Sequence, residues 1–412
     1  MAAEAYLGSE VERVRLQVLR PTDATFRKAQ ERLIRSVYHL CMPRPLEQII
    51  NAYQRDATLA RAHTIPATWY TDAQVFDLER HTVFTRSWQV AGRIEQLRAR
   101  GDYVACELAS GEPILIVRGQ DDNLRGFFNV CRHHAAAVVS DGAGSDRQFR
   151  CPYHGWTYAL DGTLKGTPDF ADVCDFDRSA NGLVPIDCAV SQKWVFARTA
   201  ADGPSLDDYL GADLTNQLHT LRLDSLHWIE RRHYSIDCNW KVVVDNYLDG
   251  GYHIPLVHSG LDSVLSYSDY TIETGERFCL QSSPLRAEGA DSLTRAIRQG
   301  ERASYYWIYP NFMVNCYGRA MDTNLVIPRG VDRTDVIFDF YFDDVSAAAS
   351  ARNRASIDVS HQIQLEDDSI CVSVQRGLRS RAYQAGRLSV RREAGEHLFH
   401  RLLHADLEAG LR

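Results

Sequence analysis

Apolar and polar residues follow different periods in different parts of this chain. Near the N-terminus, apolar residues recur at helical spacing after Thr22-Asp23, and a second helix is predicted through the segment that follows Thr71-Asp72. Between about residues 95 and 200, short apolar runs alternate with GD, DG and NG turns. This alternation is typical of a small all-β domain.

The second half of the chain mixes strand and helix patterns. The runs IYPNFMVNCYG, NLVIPRG and VIFDFYF predict antiparallel strands, and the stretch after Ala347 predicts a long helical region. We therefore expect an α+β protein in three parts. These are a helical N-terminal extension over residues 1–60, a small all-β domain with an N-terminal helix over residues 61–205, and a larger domain over residues 206–412 in which helices cover an antiparallel β-sheet.

Composition excludes several classes of protein. The chain has 412 residues, of which 45% are hydrophobic, so it is not a mainly disordered protein. No apolar stretch approaches the roughly 18 residues that span a membrane. A net charge of −8 without a basic run disfavours nucleic-acid and anionic-membrane binding. The N-terminal sequence MAAEAYLGSEVERVRLQ has no apolar signal core, which predicts a cytoplasmic protein.

Cys131, His133, Cys151 and His154 form the first pattern that indicates chemistry, with the spacing C-x-H followed later by C-x-x-H. Two short loops that each supply one thiolate and one imidazole can hold a metal centre between them. Such a set fits a single tetrahedral zinc ion. It also fits a [2Fe–2S] cluster with two cysteines on one iron and two histidines on the other. The run C-P-Y-H-G-W inside a β-rich domain favours the cluster.

His253 and His258 form the second pattern. They are five residues apart with Pro255 between them, which indicates a helix end or a distorted turn. Such pairs are usually structural, but Asp245 and Asp249 lie close by, and the downstream segment QLEDDSICVSVQRGL offers carboxylates in a helical context. Two histidines and one carboxylate form the facial triad of non-haem Fe(II) oxygenases, which leaves positions for O₂ and substrate.

Together, the two patterns resemble the Rieske non-haem iron oxygenases, whose second cluster loop reads C-P-x-H-G. The resemblance covers about residues 65–408. It implies a Rieske domain followed by a catalytic domain. The ligands it implies are Cys131, His133, Cys151 and His154 for the [2Fe–2S] cluster and His253, His258 and Asp367 for a mononuclear Fe(II). Asp368 and Glu366 are rivals of Asp367 for the carboxylate position.

The resemblance also implies a carboxylate that links the first iron histidine to a cluster histidine of a neighbouring subunit, and hence a homotrimer. In many members this carboxylate lies three residues before the histidine. Here Gly250 occupies that position and Asp249 lies four residues before, which leaves the link open between Asp249 and Asp245. Asn246, in the same stretch, is a further candidate catalytic residue.

The segments NWKVVVDNYLDGGYH, IYPNFM, MDTNLV and HLFHRLLHADL resemble the choline monooxygenase branch. This implies hydroxylation or N-demethylation of a quaternary ammonium compound such as choline or a betaine, with O₂ as co-substrate. Aromatic faces hold such a cation, and Tyr305, Trp307 and Tyr309 would share one strand face to do so. Because no flavin or nicotinamide motif is evident, electrons from NAD(P)H are expected through a separate ferredoxin or flavin reductase.

Three other functions fit parts of the sequence. An aromatic or heterocyclic hydroxylase on the same scaffold would have an apolar pocket without a cation cage. An electron-transfer Rieske protein would need only the first pattern, and so would a zinc-binding module. Visible absorption distinguishes a cluster from zinc, and mononuclear iron distinguishes an oxygenase from an electron carrier.

Overall fold

The computed structural model describes residues 45–285 and 300–412, and Ile49–Arg412 forms one compact unit of the chain. The helix predicted after Thr22-Asp23 lies outside the described residues. The α-helices are α1 Leu46–Ile50, α2 Thr68–Thr71, α3 Ala73–Glu79, α4 Leu206–Leu210, α5 Ala212–Thr220, α6 Trp240–Leu248, α7 Ile254–Val257, α8 Ser259–Asp262, α9 Ser350–Leu378 and α10 Ala394–Gly410. None of the helices in the described ranges combines the length and apolar composition needed to cross a membrane.

Within residues 45–285 and 300–412, seventeen strands form three sheets. In the first part of the chain they are β1 Gln89–Arg93, β2 Asp102–Glu107, β3 Pro113–Arg118, β4 Leu124–Phe128, β5 Gly142–Ser145, β6 Phe149–Arg150, β7 Thr157–Tyr158, β8 Leu164–Gly166, β9 Pro185–Ser191 and β10 Trp194–Arg198. In the second part they are β11 His227–Ile236, β12 Thr271–Thr274, β13 Phe278–Pro284, β14 Arg302–Ile308, β15 Phe312–Cys316, β16 Ala320–Gly330 and β17 Arg333–Phe342.

Strands β1 to β10 confirm the predicted all-β region. Seven of them form a sheet in the order β1-β10-β9-β4-β3-β2-β5, and β6-β7-β8 form a separate small sheet. The small sheet and its neighbours enclose a core that contains Cys131 and Cys151 together with Phe149, Trp156 and Tyr158. The first cysteine motif is therefore anchored in a hydrophobic core, which fixes the positions of both loops.

The second large sheet confirms the predicted antiparallel strands. Its order is β11-β17-β16-β15-β14-β13-β12, so β12 to β17 run as a meander and β11 joins at the edge. Helices α6, α9 and α10 pack on this part of the molecule, and α9 confirms the helix predicted after Ala347. The sheets change between Arg198 and His227, whereas the domain boundaries at residues 61 and 206 stay a prediction.

A buried ion pair joins α3, the N-terminal helix of the β-rich region, to α6. Helix α3 begins after Asp72, whose side chain accepts a hydrogen bond from the backbone of Gln74, and this confirms the helix predicted there. At its end, Glu79 accepts hydrogen bonds from Lys241 Nζ at 2.6 Å and from Trp240 Nε1 at 2.8 Å. All three side chains are buried. Because a buried ion pair tolerates little change in geometry, this contact fixes where α6 starts.

Candidate metal centres and active site

The two cysteine loops have the same backbone conformation. The Cys131 amide donates to the carbonyl of Ala136, and Ala135 donates back to the carbonyl of Cys131. In the second loop Cys151, Trp156 and Gly155 repeat these two bonds. Ala135 and Gly155 both have a left-handed backbone, with φ of 59° and 73°. Two equivalent turns thus each present one thiol and one imidazole.

The four side chains pair by type. The thiol of Cys131 contacts that of Cys151, and the rings of His133 and His154 have centroids 4.6 Å apart. The His133 ring stacks on Trp156, its Nδ1 is buried with no hydrogen-bond partner, and burial lowers its pKa, which favours the neutral, ligating form. Among the described residues, the ligand atoms of these four side chains are not a group that all lie within 4.8 Å of one another, as the ligands of a single ion would. A two-iron cluster with cysteines at one end and histidines at the other fits them better than one zinc ion.

His253, His258 and Asp367 meet at one point. His253 precedes α7 and His258 follows it, which confirms the helix-end geometry predicted from their spacing. Asp367 lies on α9, and its Oδ1 is 3.0 Å from His258 Nε2 and 3.6 Å from His253 Nε2. The two Nε2 atoms are 3.1 Å apart. Two imidazoles and one carboxylate with converging donor atoms are the ligand set of a mononuclear non-haem iron.

A second carboxylate fixes the orientation of each imidazole. His253 Nδ1 donates to Asp249 Oδ2 at 2.5 Å, and His258 Nδ1 donates to Glu366 Oε2 at 2.7 Å. Each bond leaves Nε2 directed at the common point, as outer carboxylates do around metal-binding histidines. Burial by itself lowers the pKa of His258, but the carboxylates of Asp367 and Glu366 outweigh it and raise that pKa. The sequence suggested Glu366 as a rival ligand; its contact is with the far side of the ring.

The alternatives that the sequence left open at α6 lie in different surroundings. Asp249 follows the helix and accepts bonds from both the ring and the backbone amide of His253. Asp245 instead accepts from Tyr70 Oη at 2.5 Å and lies 3.0 Å from His400 Nε2. Of these two carboxylates, only Asp249 therefore contacts an iron-site histidine.

The Gly-Gly pair accounts for the unusual spacing of Asp249. Gly250 and Gly251 have φ of +67° and +68°. A Cβ on Gly250 would lie 2.1 Å from the Arg392 carbonyl oxygen, so no larger residue fits there. The left-handed turn inserts one residue and still lets Asp249 fold back onto His253.

Asn246 and Asp368 complete the surroundings of the triad. Asn246 Nδ2 donates to Asp367 Oδ1 at 2.9 Å, which restricts the rotation of that carboxylate. Asp368 accepts from Gln364 at 2.6 Å instead, and burial raises its pKa. Asp367, not Asp368, is thus the carboxylate that contacts the histidine pair.

A cavity of about 120 Å³ opens beside the triad, and His253, His258 and Asp367 lie in its wall. Its aromatic wall consists of Tyr247, Tyr270, Tyr305, Tyr317 and Phe338. Burial raises the pKa of Tyr247 and Tyr270 well above the usual value, so both stay neutral phenols. Its polar wall includes Gln281, Asn315, Asp322 and Asn324. The volume is of the order of the ~150 Å³ cavity that accepts benzene, so the cavity suits a small molecule.

The prediction that three aromatic residues of one strand face hold the substrate is wrong at two of the three positions. Tyr305 lies in the cavity wall as expected. Trp307 shares that strand face, but its ring packs against Phe399 of α10, and Tyr309, just beyond β14, donates to Asp406 at 2.6 Å. Neither is among the residues that line the cavity, because α10 covers this end of the sheet. The strand alternation was visible in the sequence, but the position of α10 was not.

A buried polar network behind α6 was missed by the sequence analysis. Asp245, Glu396 and His400 have donor atoms within 4.8 Å of one another, and Tyr70 joins them through Asp245. Desolvation raises the pKa of Glu396 well above its usual value, and Asp245, Glu393 and Asp249 raise it further. A protonated Glu396 therefore fits this network. No sequence signal brings these residues together, because they come from α2, α6 and α10.

Family models match both halves of the chain. Residues 87–177 match the Rieske [2Fe-2S] domain, and residues 223–409 match the ring hydroxylating alpha subunit catalytic domain. The chain is 36% identical over 378 residues to a chloroplastic choline monooxygenase of Arabidopsis thaliana, covering 88% of this chain and 87% of that protein. It is 30% identical over 340 residues to a carnitine monooxygenase oxygenase subunit of Escherichia coli, covering 78% and 86%.

Solved structures agree with these matches. A quaternary ammonium Rieske monooxygenase in complex with L-carnitine aligns with a TM-score of 0.75 at 27% identity, over 86% of this chain and 98% of that one. A naphthalene 1,2-dioxygenase of Rhodococcus aligns with a TM-score of 0.70 at 22% identity, over 84% and 94%, which shows a shared fold. The family resemblance and the α+β fold class predicted from the sequence are confirmed. The chain therefore belongs to the Rieske non-haem iron oxygenases and is similar to their choline and carnitine monooxygenases.

Proposed function

We propose that this protein hydroxylates a small quaternary ammonium compound such as choline or a betaine, at a carbon next to the nitrogen or at an N-methyl group. The observation that carries the proposal is the cavity itself. Four tyrosines and a buried carboxylate, Asp322, line the same cavity as His253, His258 and Asp367. A trimethylammonium group has no hydrogen-bond donor, so aromatic faces and negative charge are what can hold it. The relatives named for choline and carnitine support the same substrate class.

Neighbouring side chains hold the three ligands of the mononuclear iron in the orientation that binding requires. When bound, the cluster would pass on two electrons one at a time and the mononuclear iron would activate O₂, so that one oxygen atom would enter the substrate and the other would leave as water with two protons. Asp249 and Glu366 hold the Nδ1 protons and keep Nε2 of each histidine free to ligate. Asn246 holds the carboxylate of Asp367. The buried aromatic wall keeps bulk water away from the reacting carbon.

Asp249 is our candidate for the link between the cluster and the iron site, acting across subunits of a homotrimer. Its contact with His253 supports this role over Asp245. Large side chains are exposed beside both sites: Tyr153 next to His154 is 65% exposed, and Tyr252 and Leu256 beside the iron histidines are 55% and 90% exposed. Such side chains favour burial against another subunit.

Electrons are proposed to come from NAD(P)H through a separate ferredoxin or flavin reductase. The domain matches cover the cluster and the catalytic domain, and neither is a flavin or nicotinamide domain. The cytoplasmic location predicted from the N-terminal sequence stays a prediction, and the relative from Arabidopsis thaliana is named chloroplastic.

A substrate panel tests the proposed function. The enzyme, loaded with both metal centres and supplied with a reductase, is given choline, carnitine, glycine betaine and aromatic acids, and O₂ uptake is measured together with product. We expect turnover only with quaternary amines. An aromatic or heterocyclic hydroxylase has no need of a carboxylate in its substrate cavity, whereas Asp322 lies in the wall of this one beside Gln281 and Asn315. Turnover of aromatic acids alone would reverse the proposal.

A further inference from the structure

A buried arginine lies against the turn that joins Asp249 to His253. Arg392, just before α10, is only 4% exposed. Its Nη1 donates to the carbonyl of Gly250 at 3.3 Å, and its Nη2 donates to the carbonyl of Tyr267 at 3.0 Å. Its Cζ lies 3.8 Å from the centroid of the Tyr267 ring. Because the guanidinium is a planar fork with several donors, this one side chain bonds the turn and the segment before β12 at the same time.

The backbone of Arg392 packs on the same turn. Its carbonyl oxygen is the atom that leaves no room for a Cβ on Gly250. The amides of Arg392 and Glu393 both donate to the carbonyl of Ser389, at 3.2 and 2.9 Å, and the Glu393 carboxylate accepts from the Ser389 amide. The carbonyl therefore belongs to a hydrogen-bonded turn of its own. Gly250 is thus contacted by both the backbone and the guanidinium of one residue.

The conformation of this turn decides where the carboxylate of Asp249 lies. The Tyr252 amide donates to Asp249 Oδ1 at 3.1 Å, and the His253 amide donates to Asp249 Oδ2 at 3.0 Å. Both bonds cross the two glycines. Because glycine has the widest choice of backbone conformations, a Gly-Gly turn has little stiffness of its own. The contact between Asp249 Oδ2 and His253 Nδ1 therefore depends on the groups that pack on the turn.

We infer that Arg392 is a positioning residue, which holds the Gly250–Gly251 turn closed and thereby keeps Asp249 on His253. The inference rests on the proposed function, because it assigns a further residue to the proposed link between the cluster and the iron site. Arg392 does not itself line the cavity, and its Cζ is 5.8 Å from the centroid of the Tyr270 ring, at the outer limit of a cation–π contact. Its loss should therefore act on the iron site and leave substrate binding largely unchanged.

The test measures Fe(II) binding and electron transfer separately. Titration with a chelator gives the Fe(II) affinity. For electron transfer, enzyme with a reduced cluster and excess Fe(II) is mixed with choline and O₂, and the visible absorption of the oxidised cluster is followed over time. We expect Arg392→Gln to weaken Fe(II) binding about tenfold and to slow cluster oxidation about tenfold. The dissociation constant of choline should change by less than about twofold.

Arg392→Lys should give values between those of the wild type and Arg392→Gln. A lysine keeps the positive charge, but its single nitrogen lacks the planar fork that bonds two carbonyls in fixed directions. A simple loss of packing does not predict this order, because lysine and glutamine both leave the ring of Tyr267 without its guanidinium.

Arg198→Gln is the matched control. Arg198, on β10 of the first sheet, is also 4% exposed, and its Nη1 donates to the carbonyl of Pro204 at 2.7 Å. Its Cζ lies 4.9 Å from the centroid of the Trp88 ring, and it pairs with Asp187. Arg198→Gln should therefore lower the melting temperature as Arg392→Gln does, yet keep the wild-type Fe(II) affinity and cluster oxidation rate.

Wild-type Fe(II) affinity and cluster oxidation in Arg392→Gln, or equal losses in both glutamine variants, would overturn the inference and leave the proposed function standing. If Arg392→Gln does not fold, wild-type values in Arg392→Lys overturn it. Cluster oxidation at the wild-type rate in Asp249→Ala would overturn the proposed link and the inference together. If the wild type oxidises no quaternary amine, the proposed substrate is wrong, and the Fe(II) affinities of the arginine variants still decide the inference.

Discussion

The cluster loops and the iron site differ in how their ligands are brought together. Cys131 and Cys151 lie in two turns with the same backbone hydrogen bonds, and each turn carries its own histidine. At the iron site, His258 lies on a short turn after α7, and Asp367 comes from a helix 109 residues further along the chain. One site is built from repeated local turns, and the other depends on the packing of α9 against the end of α6.

The two sites also differ in exposure and in how their histidines are oriented. His154 is exposed, whereas His258 is 1% exposed and faces a cavity. The His133 ring is held by stacking on Trp156, whereas the iron histidines are held by hydrogen bonds to Asp249 and Glu366. An exposed histidine suits electron transfer to and from partners, and a buried, charged site suits chemistry on a bound molecule. Loss of one metal centre should therefore leave the other metal centre intact.

The largest expected effect is a clean separation of the two centres. Cys151→Ser should abolish visible absorption and remove about two irons per chain, and His258→Ala should keep the absorption and remove about one. Both variants should lose turnover. Absorption spectra and iron analysis of the purified proteins measure this. Loss of the visible spectrum in His258→Ala would show that the two sites are not independent.

The next effect concerns the link between the sites. Asp249→Ala should lower turnover at least about a hundredfold even when excess Fe(II) keeps both metal centres loaded, because it removes the proposed electron link between the cluster and His253. Asp245→Asn is the control on the same segment and should lower the melting temperature, since Asp245 bonds Tyr70 and His400, yet keep most of the turnover. Steady-state rates, iron content and thermal unfolding distinguish the two. The opposite ranking of rates would move the link to Asp245.

A smaller effect is expected at Glu366. Glu366→Gln should weaken iron binding about tenfold to a hundredfold, because the carboxylate that accepts from His258 Nδ1 becomes a neutral amide. The cluster spectrum should not change. Iron retention during titration with a chelator gives the affinity, and Asp358→Asn, the same change at an exposed α9 carboxylate that pairs with Arg232, serves as control. Equal retention by Glu366→Gln and wild type would exclude this orienting role.

The smallest effect separates stability from catalysis. Glu396 has a pKa above its unfolded value because of burial and the nearby carboxylates, so its stabilising contribution is present below the unfolded pKa and is lost as pH rises through the folded one. Glu396→Gln removes this dependence. Its melting temperature relative to wild type should rise by about 2 °C between about pH 5 and about pH 8.

Glu408→Gln, on the more exposed part of α10, should show no such trend. Thermal unfolding at both pH values makes the measurement. A relative melting temperature of Glu396→Gln that falls with rising pH would show that Glu396 is ionised in the folded protein.

The amino-acid sequence by itself determined the features that depend on neighbouring residues. The spacing around Cys131 and Cys151, the turn at Pro255 between the two iron histidines, and the apolar runs of the strands all follow from local conformation, and the structure agrees with each. Even the prediction of Asp367 as the carboxylate ligand of the iron rested on one local segment and its resemblance to a family.

Only the tertiary structure decided which side chains meet. It placed Asp249 on His253 and Asp245 on Tyr70, although the two carboxylates lie on one short segment. It covered Trp307 with α10 and left Tyr305 in the cavity beside Asp322. The reason is physical: alternation along a strand gives the face of a residue, whereas the layer that covers this face is set by packing between elements far apart in sequence.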